Sequence, residues 1–228
     1  MAKISWRGQS CFEISVSNSK DHEANIIIDP FDEEIGLRVP NLSGDVLLIT
    51  HNHHDHNNVK AVKPDPFIIK GPGEYEVKGV FVQGILSSHD EKEGKDLPSV
   101  KAGKGKNTIY TIEAEDMKFC HLGDLGQKEL TSEQLDKIGT VDVLMIPVGG
   151  EGYTISSVEA MKIVSQIEPK IVIPMHYEIP KLKIKLDPVE KFLKAMGKNT
   201  GAVVPQEKFL AKESTMPKEG TEVVVLLP

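Results

Sequence analysis

Val46-Leu-Leu-Ile-Thr-His-Asn-His-His-Asp-His-Asn-Asn58 is the stretch on which the reading of this chain turns. Its apolar start, Val46 to Ile49, reads as a buried strand that stops at Thr50. His51, His53, Asp55 and His56 follow in the pattern H-x-H-x-D-H. A loop at a strand end lets side chains converge on a cleft, because neither helical nor strand spacing dictates their aim. Neutral imidazole nitrogens suit zinc and related divalent ions, and a carboxylate suits the same ions or slightly harder ones. These four fall within six positions, with a further imidazole at His54, in a chain with only eight histidines. The bland alternative is a solvated polar loop.

Length and composition narrow the classes. A chain of 228 residues, 39% hydrophobic and 27% charged, is ordinary for a globular protein with one large core, and a single domain over 1–228 is expected. The net charge of −7 argues against a nucleic-acid partner. Cys11 and Cys120 cannot make a disulfide framework in a chain of this size, which points to a reducing compartment. No apolar run approaches membrane-spanning length, and no signal-peptide core follows Met1–Arg7. A cytoplasmic protein with no membrane partner is expected.

The first part is strand-rich. Cys11–Val16 alternates apolar and polar residues, and Asn25–Pro30 pairs with it across the polar turn Asn18–Glu23. Asp29 reads equally as a turn-former or as a carboxylate beneath the histidine loop, orienting a ring. Pro66–Lys70 and Gly79–Gln83 are short strands separated by the turn residues Gly71-Pro-Gly-Glu74. His89 follows where the next strand gives out. Residues 91–106, polar and carrying five lysines, read as a solvated loop or as a lid that attracts an anionic substrate. Asn107–Ile112 and Met117–His121 form another hairpin, leading into His121-Leu-Gly-Asp-Leu-Gly126. Alternation sets Cys120 opposite His121, in the core.

Strand–helix alternation follows. Thr131–Ile138 reads as a helix and Val141–Ile146 as a strand. Ser156-Ser-Val-Glu159 is a capping box opening a helix with Val158, Met161, Val164 and Ile167 along one side. Gly149-Gly-Glu-Gly152 lacks phosphate-loop spacing. Lys170–Pro174 is a strand that delivers His176; Asp187 caps a last helix ending near Gly197, and Glu222–Leu227 is a terminal strand.

His51, His53, Asp55, His56, His89, His121, Asp124 and His176 thus lie at or just after strand ends, and a packed core seldom needs six buried imidazoles. In this arrangement the chain resembles the metallo-β-lactamase-fold hydrolases over nearly its whole length. His-Leu-Gly-Asp-Leu-Gly (121–126) and Pro-Met-His-Tyr (174–177) look like a prokaryotic branch of metal-dependent hydrolases similar to ascorbate-6-phosphate lactonase. The resemblance implies an α/β (α+β) fold, the αββα four-layer sandwich, with two divalent ions in a cleft along one edge. It implies His51, His53 and His89 on the first ion, Asp55, His56 and His176 on the second, and Asp124 bridging both. Asp29 matches the family's supporting acid under the loop, and His121 and Tyr177 stand beside ligand positions.

Two such ions about 3.5–4 Å apart can share a water and lower its pKa from ~15.7 towards ~7. The expected function is therefore a metal-dependent hydrolase whose metal-bridged hydroxide attacks a small ester, lactone or phosphodiester, with Asp55 and Asp124 as catalytic residues. Five imidazoles and two carboxylates favour zinc, with manganese and iron as alternatives. His53 argues against the family's di-iron, oxygen-reducing branch, which has glutamate at that position. No organic cofactor is expected. The leaving-group acid stays open among His54, His121 and Tyr177. Other readings are a module that holds metal or a metabolite without turnover, or a member acting on thioesters or persulfides. The partner is a small molecule, anionic if the 91–106 lysines read it, and a homo-oligomer is compatible with all of this.

Overall fold

Turns rich in glycine and proline cut this chain into short strands, and the burial of each strand's two faces sets its place. In the computed structural model, which describes residues 1–19, 22–89 and 105–228, the order begins with β1 (Ala2–Trp6), β2 (Phe12–Ser19), β3 (His22–Ile28), β4 (Leu42–Ser43) and β5 (Val46–Ile49). It continues with β6 (Val62–Lys63), β7 (Phe67–Lys70), β8 (Gly73–Val77), β9 (Val80–Ser88), β10 (Lys106–Ala114) and β11 (Met117–His121). Then come α1 (Ser132–Ile138), β12 (Val143–Pro147), α2 (Ser157–Ile167), β13 (Ile171–Met175), α3 (Val189–Ala195), β14 (Phe209–Ala211) and β15 (Glu222–Val223). One sheet has the order β14-β1-β2-β3-β5-β7, and a second has the order β15-β13-β12-β11-β10-β9-β8.

The two sheets stack over a main core that draws on both. In β5, Val46 and Leu48 face that core, while Leu47 and Ile49 face a smaller cluster with Ile27, Phe31, Ile35, Leu42 and Val62. Both faces of the strand are covered, which is why it reads as an unbroken apolar run. The same holds for β12 and β13, buried along their whole lengths. Strands β11, β12 and β13 pair in parallel, so crossovers must join them. Helices α1 and α2 are those crossovers.

The expected α/β sandwich is the fold found, and the layer over the outer face of its first sheet is thin. None of the residues in its cluster belongs to α1, α2 or α3. Short 3-10 turns at Glu33–Ile35 and Val59–Ala61 border it instead. Pro30, Gly36, Pro40 and Gly44 punctuate this part of the chain too often for a long helix.

Several boundaries move. The β2–β3 strands reach Ser19 and restart at His22, so the turn is narrower than Asn18–Glu23. Gly71-Pro72 carries the chain from one sheet to the other, and β8 lies between the two strands read there. Val158 is 56% exposed; α2 buries Val164 and Ile167 of the expected stripe, with Ala160 and Ile163 beside them. Asp187 does not cap α3, whose N-cap is Pro188; its carboxylate pairs with Lys191. The last strand keeps only Glu222–Val223, with Leu226 bridging to Gln206. Of the lid read at 91–106, residues 91–104 lie outside the described residues. Among the described residues no helix is long and apolar enough to cross a membrane.

Candidate metal centre

Strand ends deliver this site. β5 stops at Ile49 and hands over to Thr50 and the loop carrying His51, His53, Asp55 and His56. From the second sheet, His89 follows β9, Asp124 follows β11 by three residues, and His176 follows β13. The parallel strands β5, β11 and β13 all lead into it at their carboxyl ends, the usual place for a ligand crevice in such sheets. Two glycines make the close approaches. At Gly123, φ is +58° and a Cβ would collide with Asn107 Oδ1; at Gly149 a Cβ would collide with the His176 carbonyl oxygen.

The side chains converge on Asp124. Its Oδ2 lies 3.1 Å from His56 Nε2, 3.4 Å from His176 Nε2, 3.6 Å from His89 Nε2 and 3.8 Å from His51 Nε2. Asp55 Oδ2 is 3.4 Å from His56 Nε2 and 3.9 Å from His176 Nε2. Donor atoms sort into two groups able to hold a metal ion, His51–His53–His89 and Asp55–His56–Asp124–His176, each within 4.8 Å. A third group, Asp32–Glu34–His54, is mostly exposed.

Hydrogen bonds decide which ring nitrogens face inward. Asp29 Oδ2 accepts from Thr50 Oγ1 at 2.7 Å and from His56 Nδ1 at 2.9 Å, and its Oδ1 accepts from the Thr50 N–H at 2.8 Å. With its hydrogen spent on Asp29, Thr50 Oγ1 accepts from His51 Nδ1 at 3.0 Å. Both rings are therefore set with Nδ1 outward and Nε2 inward, where an ion taking the place of an inner proton would meet a lone pair. His56 Nε2 is buried and faces Asp124 Oδ2 at 3.1 Å and Asp55 Oδ2 at 3.4 Å.

Charge makes the same point. Burial alone would raise Asp55, but His56 and His176 overrule it and hold the carboxyl well below its usual range. Burial likewise opposes charge on His176, yet Asp124 and Asp55 raise the ring to about 9. His56 is raised well above its ordinary value by Asp124, Asp55 and Asp29, again against burial. His51 is lowered to about 2 by burial and by His56. Buried carboxylates that draw protons onto facing imidazoles are a place where a divalent cation fits, since its charge replaces those protons.

Asp29 thus lies beneath the loop as a support. His121 does not face the cluster directly: its Nε2 donates to Ser10 O at 3.0 Å, its Nδ1 accepts from the Gly123 N–H at 3.1 Å, and burial lowers its pKa. Tyr177 is engaged in the core, its ring on Trp6 and its hydroxyl donating to Leu226 O at 3.4 Å. His54 is exposed at the rim. Cys120 is buried in the main core.

Sequence reasoning missed several partners. Gln9 Nε2 donates to Asp55 Oδ2 at 3.3 Å, and Ser10 Oγ donates to Asp124 Oδ1 at 3.4 Å. Asn107 Oδ1 accepts the Asp124 N–H at 3.1 Å while its Nδ2 donates to Leu122 O at 2.8 Å. None of these residues shows periodicity or spacing that would have singled it out.

The fold and this cluster define a class, and comparison agrees: the model of the beta-lactamase superfamily domain matches residues 3–176, so the chain belongs to that superfamily. Within it, a UPF0173 metal-dependent hydrolase of Staphylothermus marinus is 31% identical over 100% of this chain and 97% of its own length. A Nanoarchaeum equitans relative of the same description is also 31% identical, over 89% and 95%. The chain is thus a member of the UPF0173 metal-dependent hydrolases. A Thermotoga maritima structure, assigned as a Zn-dependent hydrolase of the metallo-β-lactamase superfamily, is 34% identical with a TM-score of 0.74, covering 99% of this chain and 98% of that one.

Proposed function

We propose that this hydrolase holds two divalent metal ions, zinc first among them, and cleaves a small ester, lactone or phosphodiester. The observation that carries the reading is the gathering of four imidazole nitrogens within 3.1–3.8 Å of one Asp124 oxygen. His51, His53 and His89 would hold one ion and Asp55, His56 and His176 the other, with Asp124 shared. When bound, such a pair supplies activated water at neutral pH and polarises the oxygen of the group under attack. Five imidazoles support zinc, as does the description of the Thermotoga relative.

The chain's own residues do the rest. Thr50 and Asp29 take the outer hydrogens of His51 and His56 and so turn the Nε2 of each ring inward, where it would meet an ion. Asp55 would accept a hydrogen bond from the attacking water and so orient it. Of the three residues open as leaving-group acid, His121 and Tyr177 are committed to Ser10 O and Leu226 O, while His54 stands exposed beside Asp32 and Glu34.

Elemental analysis of protein purified without added metal, followed by a panel of esters, lactones and phosphodiesters, tests this. Two metal equivalents and metal-dependent turnover are expected, with turnover lost in a folded Asp124→Ala variant. Undiminished turnover in that variant removes the mechanism. Metal-loaded protein that binds a metabolite yet stays inert across the panel returns the chain to a binding role.

A further inference from the structure

The tight turn between β1 and β2 reaches into this centre. It is closed by Arg7 N–H to Cys11 O at 2.8 Å and Cys11 N–H to Gly8 O at 2.9 Å. At its tip Gln9 is wholly buried with a left-handed φ of +50°. A residue with a side chain keeps that conformation only where its surroundings hold it. Here the Gln9 carbonyl is clamped, accepting from the Trp6 indole N–H at 2.8 Å and from the His176 backbone N–H at 3.1 Å.

So held, the side chain meets two of the metal-binding groups. Gln9 Nε2 donates to Asp55 Oδ2 at 3.3 Å and lies 3.1 Å from His176 Nε2. Flipping the amide would set its oxygen against a carboxylate oxygen, so charge fixes which end faces inward. Gln9 Oε1 is left buried without a hydrogen-bond partner, a penalty that a hydrocarbon side chain of similar size would not carry. A wholly buried amide with one end orphaned and the other on Asp55 is poor packing and good positioning.

We propose that Gln9 is the positioning residue of the Asp55–His56–His176 half of the centre. Its amide keeps Asp55 in the rotamer that sets Oδ2 beside His56 and His176. The proposal rests on the two-ion reading above. Ser10 touches Asp124, which serves both halves, whereas Gln9 touches Asp55 and His176, which serve one. Losing Gln9 therefore has a one-sided effect: it weakens the second ion and spares the first.

Cobalt(II) titration of metal-free protein, read by elemental analysis and visible absorption, tests this. Gln9→Met keeps the side-chain length and removes the amide; Gln9→Asn keeps the amide and draws it back by one methylene. Both are expected to bind the first equivalent as wild type does and the second about 10- to 100-fold more weakly. The absorption change is confined to that second equivalent. In an Asp55→Asn background, Gln9→Met adds little further loss, because the bond it removes ends on Asp55. Should Gln9→Met fail to fold, Gln9→Asn decides. Wild-type protein that takes up one ion overturns the two-ion reading and this proposal with it. Wild type with two ions, beside variants of unchanged second-site affinity and spectrum, overturns the proposal alone. So does equal weakening of both sites, which is what a packing role predicts.

Discussion

Asp29 carries three donors on two oxygens, the Thr50 N–H, the Thr50 hydroxyl and His56 Nδ1, and is wholly buried. Its φ of +46° suits an aspartate or asparagine better than most side chains. Asp29→Asn keeps that backbone but turns one acceptor into a donor facing donors. We expect metal affinity about 10- to 100-fold lower in a folded protein, by metal titration; unchanged affinity would make Asp29 a turn-former after all. At the same scale, protons compete with metal. His176 is raised to about 9 by Asp124 and Asp55 against the pull of burial, above its ordinary 6.5. In the metal-free fold it is therefore protonated at pH 7. Its contribution to that fold's stability is full below about 6.5 and is lost as pH rises through about 9. A cation must displace this proton, so metal affinity is expected to climb with pH towards about 9. Calorimetry at pH 7 in two buffers of different ionisation heat measures the release, and a count of zero contradicts the assignment.

A buried pair of glutamines ties the elements of the second sheet to the site. Gln127 Oε1 accepts the Ser88 N–H at 3.2 Å, one residue before His89, and the Gly126 N–H donates to Ser88 O at 2.9 Å. Gln127 Nε2 donates to Gln134 Oε1 at 2.7 Å, and Gln134 Nε2 donates to Leu86 O at 2.9 Å. The pair thus joins the end of β9 to the loop that carries Asp124 and to the start of α1. Gln127→Leu leaves Gln134 and the Ser88 N–H without these partners. A loss of about 1–3 kcal/mol is expected in urea unfolding of the metal-free protein, and an unchanged midpoint would show that water replaces the amide. Such links were not legible in the sequence. Strand ends were, because β5 and β13 are apolar runs that stop just before a histidine and β11 is a hairpin strand that ends on one. β8 was not, since Gly73–Val77 lies on a sheet edge and alternates half-buried with exposed residues. The α2 stripe was right at Val164 and Ile167 and wrong at its start, because Val158 is apolar yet solvent-facing while small Ala160 packs inward. Gln9 lay hidden for a different reason: its partners are 46 and 167 residues away, and a lone glutamine has no period to reveal it.

Across the whole molecule the centre is a seam. His51, His53, Asp55 and His56 hang from the first sheet, while His89, Asp124 and His176 hang from the second, with the core between the sheets continuing beneath them. Ions held here would cross-link the two sheets at one edge. They bind the folded chain and not the scattered ligands of the unfolded one, so they stabilise it by mass action. At a free metal concentration 1,000-fold above Kd, one site contributes about 4 kcal/mol. Thermal unfolding of the metal-loaded protein is therefore expected well above that of protein stripped with a chelator. Asp124→Ala removes the carboxylate that lies 3.1–3.8 Å from histidines of both groups, so most of this metal-dependent gain should vanish with it. A change at the rim such as His54→Ala should leave the gain in place. Four melting curves, wild type and Asp124→Ala with and without chelator, decide the matter. Equal metal-dependent shifts in the two proteins would mean that the sheets are not joined through Asp124.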